Sequence, residues 1–168
     1  HDMDSASFPF MSAAEMALGE INEVLVLRVS FTGETGYEMY LPMERQLALF
    51  DLLRREGAGL GLGLVGTRCL MHTRLAKNFP AWAPELSADY TPAEAELDRF
   101  VKADKGDFIG RDAFLNAPPP REKFASFTVD AGDCVVWGDE AIFLDKEPVG
   151  YVTSGGFGPT LGRAIAMG

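Results

Sequence analysis

The stretch that most constrains this chain is Arg28-Val29-Ser30-Phe31-Thr32-Gly33-Glu34-Thr35-Gly36-Tyr37-Glu38-Met39-Tyr40-Leu41-Pro42. It joins two apolar runs through a polar corner. Gly33 and Gly36 permit positive φ there, so the backbone can turn sharply. From Tyr37 onward the residues alternate, with Tyr37, Met39 and Leu41 on one face and Glu38 and Tyr40 on the other. Glu38 is thereby fixed near the start of a strand, directly after a tight turn. A carboxylate held rigidly can accept two parallel N–H bonds from a flat, guanidine-like edge. The competing reading is a plain hairpin with Glu38 in solvent.

The 168 residues suffice for one ordinary domain or two small ones sharing a core, and 47% are hydrophobic. The formal charge of -10, from 25 acidic and 15 basic residues, argues against phosphate-backbone binding and against an anionic membrane surface. A small ligand or a neutral protein partner is the better expectation. Cys69 and Cys134 cannot build a disulfide framework or a zinc site, and Cys69, in an apolar helical segment, reads as a buried inert thiol. No signal peptide or membrane-spanning run is visible. The cytoplasm fits, or the mitochondrial matrix in a eukaryote. His1-Asp2-Met3 reads as a cloning remnant.

Taken in order, Met11 to Leu18 predicts a short helix with Ser12 as N-cap and Glu15 three residues on, ended by Gly19. Glu23 to Val29 predicts a strand. Met43 to Glu56 predicts an amphipathic helix with Leu47, Leu49, Phe50 and Leu53 covering one side and Gly57 as its stop. Gly61-x-Gly63-x-x-Gly66 matches a dinucleotide fingerprint in letters, but a helix precedes it where a strand is needed. Its glycines read instead as a close-packed connection. Thr67 to Phe79 predicts a second helix, in which His72 has no visible partner and no assigned role. Thr91-Pro92-Ala93-Glu94 is a capping box that opens a short helix through Leu97. Phe100-Val101-Lys102 reads as a strand, and Asp107 to Leu115 as a turn followed by a turn or two of helix. Pro118-Pro119-Pro120 marks a boundary. Beyond it four strands are predicted, at Lys123–Val129, Ala141–Leu144, Val149–Thr153 and Leu161–Ala166. Asp145-Lys146 and Ser154-Gly155-Gly156 read as turns between them. The sequence ends inside an apolar strand, as a piece of a longer protein does.

Four stretches together resemble the folate-binding aminomethyltransferase family, the T-protein of glycine cleavage. Within it the chain is most similar to the C-terminal region of dimethylglycine and sarcosine dehydrogenases. Phe31 to Glu38 resembles the family's Y-x-G-E-x-G-x-E, and Thr73 to Trp82 resembles L-R-L-E-K-G-Y-R-A-W. Thr91 to Leu97 with Asp107 to Arg111 forms the third stretch, and Val149 to Gly156 with Leu161-Gly162 the fourth. The resemblance implies an α+β fold. Residues 1–116 would be the later part of an α/β folate-binding region, and residues 117–168 a small C-terminal β-barrel, truncated at its end.

By the same resemblance the function is tetrahydrofolate binding within a one-carbon (aminomethyl) transferase. Glu38 holds the pterin edge, with Phe31, Tyr37, Arg74 and Trp82 as further cofactor-binding candidates. Phe31 stands where a tyrosine is usual, Leu70 where an arginine is, Ala76 where a glutamate is and Asn78 where a glycine is. The family's catalytic aspartate belongs to a portion this chain does not contain, so no catalytic residue is assigned and no activity is expected of the chain alone. FAD is expected only on a missing N-terminal flavin dehydrogenase domain, and the substrate is a methylated amine. Nucleic acid, membrane and metal are not expected. The alternatives are a glycine cleavage T-protein or methyl-sulfur demethylase, and a non-catalytic folate-binding relative. Relatives that support iron–sulfur proteins carry K-G-C-Y-x-G-Q-E, whereas Lys105 to Asp112 here has no cysteine.

Overall fold

The computed structural model describes residues 3–168; His1 and Asp2, read above as part of a remnant, lie outside the described residues. The chain forms two compact units, one up to Lys77 and one from Asn78.

The first unit is built on an antiparallel sheet of β1 (Ala13–Leu18), β2 (Ile21–Leu27) and β3 (Glu38–Tyr40), in that order. The helix expected over Met11–Leu18 is therefore strand β1. Its Ala14, Met16 and Leu18 pack on the core while Ala13, Glu15 and Ala17 face out, and the whole segment pairs along β2. Pairing with a strongly strand-forming neighbour overrides the helix propensity of its alanines and glutamate. Gly19, at φ +57, does not end a helix but turns the hairpin between Leu18 and Ile21. Val24 and Val26 are completely buried, and with Phe8 and Met16 they form the core.

Met43–Arg45 makes one tight 3-10 turn that leads into α1 (Gln46–Gly57). Only Leu49 of the expected apolar stripe is buried; Leu47, Phe50 and Leu53 are exposed. The side that packs is rotated toward Leu52, which lies against Gly19, where a Cβ would sit 3.2 Å from the leucine methyl. Gly57 closes the helix, and the left-handed residue that ends the following turn is Gly61, at φ +77. The expected close-packed glycine connection is not found. Gly59, Gly61, Gly63 and Gly66 all border open space, and the helix α1 with a 3-10 turn, not a strand, leads into them. α2 (Thr67–Ala76) buries Arg74 and Leu75 and leaves Cys69 exposed. The thiol expected to be buried therefore lies on the outward side of its helix.

In the second unit the Thr91–Glu94 box forms as expected. The Thr91 hydroxyl accepts the Glu94 N–H at 3.2 Å, and the Glu94 carboxylate accepts the Thr91 N–H at 2.9 Å. The helix it was expected to open does not propagate beyond turns, because Glu96 takes φ +56 and breaks the right-handed path. The strand expected at Phe100 is likewise absent; Asp98–Phe100 is a 3-10 turn. α3 (Arg111–Leu115) follows.

The β region holds a sheet of β4 (Ser126–Val129), β8 (Arg163–Met167) and β7 (Ser154–Gly158), with β8 central, and a separate hairpin of β5 (Ala141–Leu144) and β6 (Glu147–Tyr151). Asp145 and Lys146 both take positive φ and make the two-residue hairpin turn, as read from the sequence. Ser154-Gly155-Gly156, expected as a turn, is the start of β7. A Cβ on Gly155 would lie 2.5 Å from the Val136 carbonyl oxygen, so this glycine serves close packing rather than chain reversal. Val136, Val152 and Ala166 form the core there.

Candidate functional site

The corner before β3 is fixed from both sides of the chain. Gly33 takes φ +77, and a Cβ there would fall 2.5 Å from Cγ of Lys77. Gly36 does not use positive φ, contrary to the sequence reading. It is needed because a Cβ would sit 2.8 Å from the Val29 carbonyl oxygen. The Lys77 ammonium meets the Glu34 carboxylate at 2.7 Å, and this hydrogen bond and charge hold Glu34 below its ordinary pKa.

Beyond the corner the alternation read from the sequence is realised. Tyr37, Met39 and Leu41 pack against the core, while Glu38 and Tyr40 are exposed. The pairing of Glu38, Met39 and Tyr40 with Leu27, Val26 and Leu25 sets this alternation, since a one-residue slip would turn Glu38 inward. Tyr37 is held at both ends. Its ring stacks on Phe8 at 6.4 Å between centroids and 7° between planes, and its hydroxyl donates to the Met3 carbonyl at 2.7 Å. The Arg28 guanidinium lies 5.9 Å over the same ring and donates to the Phe8 carbonyl and to Ser5 Oγ. Tyr37 thus braces the ribbon that carries Glu38, and its polar end is already committed.

Tyr40, which sequence reasoning did not single out, donates its phenol proton to Glu38 Oε2 at 2.5 Å. The signal was present: the two residues lie two apart on one strand face. The bond holds the Tyr40 phenol above its ordinary pKa, first through the hydrogen bond and then through the Glu38 charge.

Phe31 lies in the bend, with 39% of its surface exposed. Arg74 is completely buried in α2 and presents no surface to a ligand. The structure thus gathers Glu38, Tyr37 and Phe31 on one ribbon of the first unit and sets Arg74 inside that unit. Trp82 belongs to the second unit, where it stands 81% exposed on the turn Ala81–Leu86. Asn78, which replaces a family glycine, takes φ +57, a conformation that asparagine tolerates better than most residues. Among the described residues no group of histidine, cysteine and carboxylate side chains is suited to hold a metal ion.

An antiparallel three-stranded sheet with two helices, followed by a unit of small antiparallel sheets, defines the class: an α+β chain. The GCVT N-terminal domain profile matches residues 1–105, and the glycine cleavage T-protein C-terminal barrel domain profile matches residues 123–168. The chain belongs to the glycine cleavage T-protein family.

Human dimethylglycine dehydrogenase, a mitochondrial protein, is 32% identical over 99% of the chain, which spans 19% of that relative. An aminomethyltransferase of Caldanaerobacter subterraneus is 37% identical over 86% of the chain, which spans 39% of it. The mitochondrial pyruvate dehydrogenase phosphatase regulatory subunit of Mus musculus is 32% identical over 96% of the chain and 19% of the relative. The crystal structure of aminomethyltransferase T of the Bartonella henselae glycine cleavage system superposes with a TM-score of 0.81 at 26% identity, over 94% of this chain and 43% of that one. Among the described residues no helix is long and apolar enough to cross a membrane.

Proposed function

We propose that this chain is the tetrahydrofolate-binding part of a one-carbon (aminomethyl) transferase, the C-terminal region of a protein of the dimethylglycine or sarcosine dehydrogenase type. Residues 1–116 form the partial folate-binding region and residues 117–168 the barrel. The observation that carries the reading is Glu38, projected outward from β3 by a ribbon whose other face is anchored through Tyr37, Met39 and Leu41. A carboxylate so held fits the two parallel N–H groups of a pterin edge, at about 1.5–3 kcal/mol for each hydrogen bond to the charged group. Phe31 offers aromatic surface to the flat ring, Tyr37 and Arg74 hold the scaffold of the first unit, and the exposed Trp82 is a separate candidate in the second unit.

The one-carbon step itself belongs to residues outside this chain, and so does the FAD of a fused dehydrogenase domain. The methylated amine is bound there as well. Calorimetric titration of the full-length protein with tetrahydrofolate tests the reading: one saturable site is expected, and no heat of binding would sink it.

A second reading follows from the regulatory subunit among the relatives, which supports a member of this fold with a regulatory role. In that case the full-length protein would show no one-carbon transfer from any methylated amine.

A further inference from the structure

We propose that Lys77 is a positioning residue: it clamps the corner between Phe31 and Glu38 to the end of α2, and so sets where the ring stands relative to the carboxylate. The inference rests on the folate reading above, and every residue it uses belongs to the first unit.

The corner does little to hold itself. Phe31 to Gly36 belongs to no helix or strand, and among the described residues its backbone makes no hydrogen bond to other backbone. A segment of this kind keeps one path only where side chains fix it. Two successive contacts to Lys77 do so. A Cβ on Gly33 would fall 2.5, 2.8 and 2.9 Å from Cγ, Cβ and Cδ of Lys77, so the lysine stem lies directly across the glycine. One residue on, the ammonium holds the Glu34 carboxylate at 2.7 Å.

Lys77 is itself anchored. Its N–H bonds the carbonyls of Arg74 and Leu75, the two buried residues of α2. The clamp therefore runs from the buried end of α2, through one side chain, to the middle of the corner. Both charged ends of the ion pair stay partly in water, where such a pair contributes little, so the packed stem is its main part. Glu38 is already pinned by pairing with Leu27. What the clamp governs is the other end of the corner, where Phe31 stands.

The chemistry separates the variants. Lys77→Met keeps an unbranched stem across Gly33 and removes the ammonium. Lys77→Ala removes both.

The test is a double-mutant cycle on tetrahydrofolate binding in the full-length protein, below the unfolding temperature of every variant. Phe31→Ala is expected to weaken binding about tenfold, the loss of one aromatic contact. Lys77→Ala is expected to weaken it about fivefold, and Lys77→Met to stay within about twofold of wild type. In a Phe31→Ala background, Lys77→Ala is expected to have no further effect. If Lys77→Ala does not fold, Gly33→Ala, which drives a methyl into the lysine stem, goes through the same cycle with the same expectation. Equal weakening in both backgrounds, or none in either, overturns the positioning role, and so does binding by Lys77→Met as weak as by Lys77→Ala. Unchanged binding on Phe31→Ala removes the role of Phe31 and this inference with it. The folate reading itself stands or falls separately, on Glu38.

Discussion

The phenol of Tyr40 donates to the carboxylate of Glu38 at 2.5 Å, and both side chains stand on the exposed face of β3. A ligand that offers two N–H groups to Glu38 competes with this phenol for Oε2. Tyr40→Phe is therefore expected to tighten tetrahydrofolate binding, by about 2–10-fold, the net worth of one competing hydrogen bond. Weaker binding on this substitution would place the phenol among the ligand contacts instead.

The same bond sets the ionisation of Tyr40, whose phenol is held above its ordinary value of 10.0 first by the hydrogen bond to Glu38 and then by its charge. In Glu38→Gln the tyrosinate absorbance change assigned to Tyr40, by difference from Tyr40→Phe, is expected to move to lower pH. An unmoved curve would mean that the pair does not form in solution.

Alkaline pH tests a second phenol pair. The hydroxyls of Tyr90 and Tyr151 lie 2.8 Å apart, and Tyr90 is pushed up to about 12, chiefly by its hydrogen bond to Tyr151. A raised phenol pKa means that the folded state holds the proton more tightly than the unfolded state. The stabilisation is complete below 10, the ordinary tyrosine value, and is lost as pH rises through about 12. Denaturant unfolding should show stability falling across that window. Tyr151→Phe should remove most of that pH dependence, and a slope that persists in Tyr151→Phe would rule the pair out as its source.

Glycines of two kinds make a contrast that stability measurements can read. Gly155→Ala forces a methyl to within 2.5 Å of the Val136 carbonyl oxygen and is expected to cost about 1–3 kcal/mol. Gly63→Ala meets nothing within 4 Å, and is expected to be neutral or to stabilise by up to about 1 kcal/mol by restricting the unfolded chain. The reverse order would mean that the Gly57–Gly66 segment is tightly packed in solution.

Much of the fold was legible because its signals are local. The Tyr37–Leu41 alternation, the Asp145-Lys146 turn and the Thr91–Glu94 box each depend on residues within a few positions of one another, and each is realised. β1 was misread although Ala14, Met16 and Leu18 alternate, because its alanines and glutamate also satisfy a helix and only pairing with β2 decides between them. β7 was misread because Gly155 looks like a turn residue until the Val136 carbonyl lies beside it. The exposed side of α1 shows the same limit: apolar spacing identifies a helix but not which of two adjoining stripes, Leu49 and Leu52 or Leu47 and Phe50, meets the core. At the candidate site, Glu38 was placed by its motif and its strand position. The contact of Lys77 with Gly33 joins residues too distant in sequence to leave a pattern.

The most direct measurement of the central claim is the tetrahydrofolate dissociation constant of the full-length protein compared with that of Glu38→Gln. The amide keeps the shape but replaces an acceptor oxygen with a donor and removes the charge. Binding is expected to weaken by about 10–100-fold, the loss of at least one charge-assisted hydrogen bond. Equal affinity of the two proteins would contradict the account.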